Sequence, residues 1–158
     1  MEQRQPEVAP LTPEAASLPV ALAAGGIAAA IGAAAWALIT VWTNMQIGWM
    51  AVGIGFLVGY AVRIFGKGSD PMFQVLGAVL SLLGCLAGNL LAVCAMLSKQ
   101  EQVPFFDILT HLDPAQIVEL MVATFSAMDL LFYGIAIYEG YSVSRAPAAP
   151  LPPPGRSA

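Results

Sequence analysis

The sequence predicts an all-α polytopic membrane protein, a bundle of four transmembrane helices with a short interfacial helix between the third and the fourth. Three observations predict it. Four long apolar runs, Pro19–Thr43, Ile47–Phe65, Met72–Leu97 and Ile117–Tyr138, fill more than half of the 158 residues. Each reaches or approaches the roughly 20 residues a helix needs to cross about 30 Å of hydrocarbon. Hydrophobic residues are 58% of the chain and charged residues 10%, with a mean hydropathy of +0.76, outside the range of an ordinary soluble domain. The runs also lack the apolar–polar alternation that barrel strands of about 10 residues need, which excludes a β-barrel.

This divides the chain into a Pro-rich tail at 1–18, a membrane domain at 19–143 and a second Pro-rich tail at 144–158, with helices over about 19–43, 47–65, 72–97 and 114–138. In the first tail Pro6, Pro10 and Pro13 stand among Ala and Glu, and the last reads Ala-Pro-Ala-Ala-Pro-Leu-Pro-Pro-Pro-Gly. Proline at that density denies helix hydrogen bonds and favours extended, disordered chain. A cleaved signal peptide is the competing reading of the first run. That run starts only at Leu18, is too long for a signal core, and is preceded by Glu2, Glu7 and Glu14 against a single Arg4, which argues against it.

Helix one carries Ala24, Ala28 and Gly32 at four-residue spacing. Only Asn44, Met45 and Gln46 separate it from helix two, so the pair forms a tight antiparallel hairpin, with Trp42 and Trp49 at one interface where amphipathic indoles prefer to sit. Helix two holds Gly55-x-x-x-Gly59. The next link ends in Asp70-Pro71, which caps helix three with proline at its first position. Helix three presents Gly77, Ser81, Gly84 and Gly88 on one stripe. Eleven of the 15 glycines lie inside apolar runs, and small residues at this spacing let backbones approach closely, a main source of helix association in lipid. Gly55, Gly59, Gly77, Gly84 and Gly88 are therefore read as packing positions within the bundle.

In the long third link, Phe105, Ile108, Leu109 and Leu112 share one helical face while Asp107, Thr110 and His111 share another, the pattern of an interfacial helix. Asp113-Pro114-Ala115-Gln116 supplies an N-cap, a first-turn proline and a capping-box glutamine, so helix four starts at Pro114.

Charge location sets the orientation. Arg4, Arg63, Lys67, Arg145 and Arg156 fall on one side of the threading and Lys99 alone on the other. The positive-inside rule then puts both termini in the cytoplasm of an inner, plasma membrane. The net charge of −4 comes mostly from acids in the tails and one loop and carries little functional information.

Asp129 is the main candidate for chemistry. It stands near the middle of the expected fourth helix, about 13.5 Å from the end at Tyr138, where a charge is costly unless protonated, hydrogen-bonded or paired. Ser81 falls at the same expected depth and is a candidate partner. Arg63 lies about 9 Å away along the axis and fits Glu139 better. Functionally, Asp129 with Ser126 and Tyr133 suggests a proton or cation relay; structurally, it suggests a satisfied polar residue that fixes helix register. Asn89 is read as an interhelical hydrogen-bonding residue. Cys85 and Cys94 lie about 13.5 Å apart along one helix and on opposite faces, which rules out a disulfide between them. Asp107 and His111 lack a further nitrogen or sulfur ligand at fixed spacing, so no metal site is expected. No cofactor motif, phosphate-binding glycine loop or basic stretch for nucleic acid is present in the sequence.

The stretches Trp42–Val62 (WTNMQIGWMAVGIGFLVGYAV), Arg63–Lys67, Gly77–Asn89 (GAVLSLLGCLAGN) and Met128–Tyr141 (MDLLFYGIAIYEGY) resemble a widespread family of uncharacterised small bacterial membrane proteins with four transmembrane helices. The resemblance covers most of 36–143 and excludes the tails. It implies the fold and the membrane location, and that Asn44, Gln46, Arg63, Lys67, Asn89, Asp129 and Glu139 belong to a shared pattern. It implies no activity. The expected role is a non-enzymatic membrane scaffold or interaction subunit, forming a homo-oligomer or joining a membrane-protein partner in the lipid bilayer. A small transporter or proton- or cation-linked channel using Asp129 is the alternative, and an intramembrane enzyme the third.

Overall fold

Proline in the first turn opens two of the three longest helices. In the computed structural model, which describes residues 16–45 and 47–145, α1 (Leu18–Thr43) carries Pro19 in its first turn and α3 (Pro71–Glu101) begins on Pro71 behind Asp70. Proline fits there because the first helical N–H groups have no intrahelical acceptor in any case. Between them runs α2 (Trp49–Gly66). All three helices end on a non-glycine residue in the left-handed region, Asn44 (φ 54°), Lys67 (φ 52°) and Gln102 (φ 55°). The Lys67 N–H donates to the Arg63 carbonyl at 3.2 Å, satisfying one of the carbonyls that the end of a helix leaves open.

Three shorter helices follow: α4 (Phe105–His111), α5 (Pro114–Thr124) and α6 (Ala127–Val143). The chain is all-α, with no strand among the described residues. Asp113 and Gln116 form a reciprocal capping box at the start of α5, the Gln116 N–H donating to the Asp113 carboxylate at 2.8 Å and the Asp113 N–H to the Gln116 side-chain oxygen at 3.0 Å.

One expectation is corrected. The sequence reads 114–138 as a single helix, whereas Phe125 and Ser126 are extended and the axes of α5 and α6 meet at 104°. The cause is local, since Ser126 opens α6 with a capping box of its own. The last helix also continues five residues past Tyr138, which shifts its register against α3.

Helices α1, α2 and α3 are each long and apolar enough to cross a membrane, and a fourth span exists if α5 and α6 count as one broken span. Such a set of helices fits a membrane protein. Their outward faces agree with this: Ile27, Ile31, Leu38, Leu83 and Leu130 all stand exposed, an apolar surface too continuous for a water-soluble monomer.

Side-chain neighbours fix how the helices run. Gly25 lies against Val62 and Gly32 against Ile54, so α1 and α2 are antiparallel; Gly25 against Leu80 and Gly88 against Trp36 make α1 and α3 parallel. Along α6, Phe132 meets Gly48, Ala136 meets Gly55 and Val143 meets Gly59, which sets it parallel to α2. The central pair α2 and α3 separates α1 from α6, which do not touch one another among the described residues. The core runs along this pair, through Trp36, Ile54, Val58, Val62, Leu80, Cys85, Tyr133 and Ala136.

At one end of the bundle the Ser17 N–H donates to the Gly66 carbonyl at 3.0 Å, tying the start of α1 to the end of α2. At the other end the two tryptophans stand exposed on the α1–α2 hairpin, and Trp49 meets Phe132 with ring centroids 5.6 Å apart. Apart from 16–18 and 144–145, the expected Pro-rich tails lie outside the described residues, as does Gln46.

Candidate functional site

Among the described residues, four of the five that are buried and polar, Ser81, Asn89, Asp129 and Ser144, lie on α3 or on α6 and its C-cap, which pack against each other, and the fifth, Thr40, is on α1. Asp129 occupies the third position of α6 and is buried. One of its carboxylate oxygens, Oδ2, accepts both the Ser126 N–H and the Ser126 hydroxyl at 2.8 Å each, while the Asp129 N–H reaches back to the Ser126 Oγ at 3.3 Å. This is a complete capping box, and a carboxylate in the first turn is further favoured by the helix dipole. One turn on, the Tyr133 hydroxyl donates to the Cys85 carbonyl at 3.3 Å and has the Asn89 side chain as a second hydrogen-bonding partner. The Asn89 amide also lies 4.0 Å from the Met121 sulfur of α5. On its far side Cys85 turns its thiol towards the Ala51 carbonyl of α2 at 3.7 Å.

The structure therefore joins Tyr133 to Asn89 and places Asp129 one helical turn from Tyr133 along α6. It does not join Asp129 to Ser81. Ser81 packs on Gly140, eleven residues or about 16 Å along α6 from Asp129, because α6 runs five residues beyond Tyr138 and its end lies against Gly77, six residues past the start of α3, which together carry Asp129 towards the hairpin end. The Ser81 Oγ is buried without a partner among the described residues, as are Trp36 Nε1 and Thr40 Oγ1. Arg63 and Glu139 are not brought into an ion pair; the Glu139 carbonyl instead lies beside Gly59.

The five packing glycines each meet another helix of the same bundle. A Cβ on Gly55 would stand 2.6 Å from the Ala136 carbonyl oxygen, one on Gly59 2.8 Å from Val143, one on Gly84 2.8 Å from Ile54 and one on Gly88 2.8 Å from the Trp36 ring, while one on Gly77 would collide with Ser144 and Gly140.

Sequence reasoning missed two features. Gly140-x-x-x-Ser144 lay past the expected end of helix four. The break at Ser126 was signalled by Ser126-Ala127-Met128-Asp129, a Ser-x-x-Asp ahead of an apolar run, which is the sequence form of a capping box.

Chemically the cluster is occupied by its own backbone. The phenol and the thiol both point at main-chain carbonyls, and the carboxylate is engaged by Ser126. In α4 the His111 Nδ1 is bonded to the Asp107 main-chain oxygen at 2.7 Å, and among the described residues no three His, Cys, Asp or Glu side chains are grouped to hold a metal ion. Compared with known proteins, the chain matches no family model, and no curated protein or solved structure shows significant similarity to it.

Proposed function

We propose that this chain is a multi-pass integral protein of the bacterial inner membrane, with both termini cytoplasmic, that acts as a non-enzymatic scaffold or interaction subunit. The observation that carries this reading is the Ser126–Asp129 capping box: the one carboxylate on which a relay would depend is engaged in starting a helix. Orientation is supported by charge, since Arg63, Lys67 and Arg145 fall at the end where α2 meets α3 and Lys99 at the other.

A second reading has its own observation. The α5–α6 pair is discontinuous, and its broken point leads into the buried Asp129, Tyr133 and Asn89. Broken helices next to polar side chains are where transporters hold substrates and coupling ions, so a small transporter or proton- or cation-linked channel is the alternative. Proteoliposomes separate the two. The scaffold reading predicts proton and cation flux at the protein-free background for both the native chain and Asp129→Asn, together with a stable homo-oligomer or partner complex in native-lipid extracts. Flux that Asp129→Asn abolishes overturns it.

A further inference from the structure

On the side of the bundle away from α6, an open groove of about 480 Å³ runs between α1 and α3, within the roughly 300–1,000 Å³ of ordinary ligand sites. Its origin is a change in packing along one interface. Lower down, α1 and α3 touch closely, a Cβ on Gly88 standing 3.3 Å from the Ala33 Cα and one on Gly84 3.4 Å from the Ala29 Cα. Nearer the hairpin end the facing positions are Ala34, Ala37 and Ala95, too short to fill the crease. Leu38, Val41 and Leu91 make its remaining walls apolar, and Phe105 of α4 closes the end.

The groove is apolar along its length and polar at one end only, where Ser98 and Lys99 stand. Ser98 is satisfied internally, its hydroxyl donating to the Val103 carbonyl. Lys99 is different. Its ammonium donates to the Asn44 side-chain oxygen at 2.6 Å and to the Val41 carbonyl at 3.4 Å, both neutral acceptors. An ammonium has three N–H donors, so the charge is held in place at the groove mouth with, among the described residues, one donor over and no carboxylate paired to it.

We propose that this groove binds a phospholipid with an anionic headgroup, an acyl chain lying along Ala34, Ala37, Leu91 and Ala95 and the phosphate on the Lys99 ammonium. The proposal rests on the membrane-spanning reading above. Charge complementarity chooses the occupant, since a cation beside an apolar crease at the membrane surface matches an amphiphile whose polar end is negative. It also gives the Asn44 cap a second role, because the residue that ends α1 orients the lysine.

The test is native mass spectrometry of the full chain in detergent, loaded with phosphatidylglycerol or with zwitterionic phosphatidylcholine. The native chain should retain phosphatidylglycerol in preference. A lysine near an anionic surface contributes about fivefold in binding, so Lys99→Gln should lose about that factor for phosphatidylglycerol and less for phosphatidylcholine, whose trimethylammonium offsets the charge of the same phosphate. Ala95→Trp should fill the crease and expel either lipid. Lys67→Gln, at the opposite end, should retain both as the native chain does. Equal retention of the two lipids by the native chain, or unchanged phosphatidylglycerol retention in Lys99→Gln, overturns the proposal. Lys99 is exposed, so its variant remains informative if Ala95→Trp does not fold. Failure of the membrane reading is distinct: the chain would then appear in the soluble fraction without detergent.

Discussion

Gly77 of α3 and Gly140 of α6 face each other so closely that a Cβ on either would run into the carbonyl oxygen of the other. Four residues along each antiparallel helix stands a serine, and the pairing is reciprocal: Ser144 lies over Gly77 and Ser81 over Gly140. Two small-x-x-x-small segments thereby interlock, and the backbones approach to the limit that side chains allow.

Gly77→Ala and Gly140→Ala should each destabilise the bundle by about 1–3 kcal/mol, the usual range for forcing extra atoms into a filled interface. The leucine variants should detach α6. Gly134 of α6 has nothing within 4 Å of a Cβ, so Gly134→Ala should be neutral or stabilising by about 0.5–1 kcal/mol through helix propensity. Unfolding in mixed micelles, followed by circular dichroism, measures all three. Equal effects at 134 and 140 would refute the interlock.

Ser126→Ala should cost about 1 kcal/mol, as loss of a helix cap usually does. Asp129→Ala should cost at least as much, because it leaves the Ser126 N–H without its acceptor in a partly buried setting. The two residues serve one motif, so the double variant should cost less than the sum of the singles. A double-mutant cycle on unfolding free energies reads this directly, and strict additivity would count against the capping box.

How far the sequence reveals the fold follows from the range of the forces involved. Signals carried within one helical turn are legible: Pro19 and Pro71 mark helix starts, and Asp113-Pro114-Ala115-Gln116 announces α5 with both capping bonds present. The Ser126–Asp129 signal is equally local, yet the apolar run from Ile117 to Tyr138 hides it, because hydropathy over a long window does not register a two-residue break. Depth and partner are not local. Counting from an end at Tyr138 pairs Ser81 with Asp129, whereas α6 runs five residues further and its end lies level with Gly77, six residues past the start of α3, so that Gly140 stands there instead. The α1–α3 groove depends on where two helices stop being in contact, and neither helix carries that information alone.

Lys99 and Asn44 predict a measurable link between the ends of α1 and α3. Their 2.6 Å bond spans the hairpin end, and Asn44 already holds a left-handed conformation that asparagine tolerates better than most residues. Asn44→Gly keeps the backbone and removes the bond, so it should lower stability only slightly while loosening Lys99. Asn44→Val adds a β-branched strain to the same loss and should be clearly worse. If the two variants unfold alike, the left-handed cap is not what makes Asn44 matter.

Cys85 and Cys94 are fully buried, so neither should react with maleimide in the folded bundle, and both should react once it is denatured. That silence makes the native chain a clean background for mapping its threading. Ser69, in the link between α2 and α3, and Gln100, at the far end of α3, are both exposed, and the 31 residues of α3 extend about 46 Å, enough to span a bilayer. With a membrane-impermeant maleimide on intact cells, Gln100→Cys should label at once and Ser69→Cys only after permeabilisation. The reverse pattern would invert the orientation read from the basic residues, whereas labelling of both positions without permeabilisation would mean that α3 does not cross the membrane.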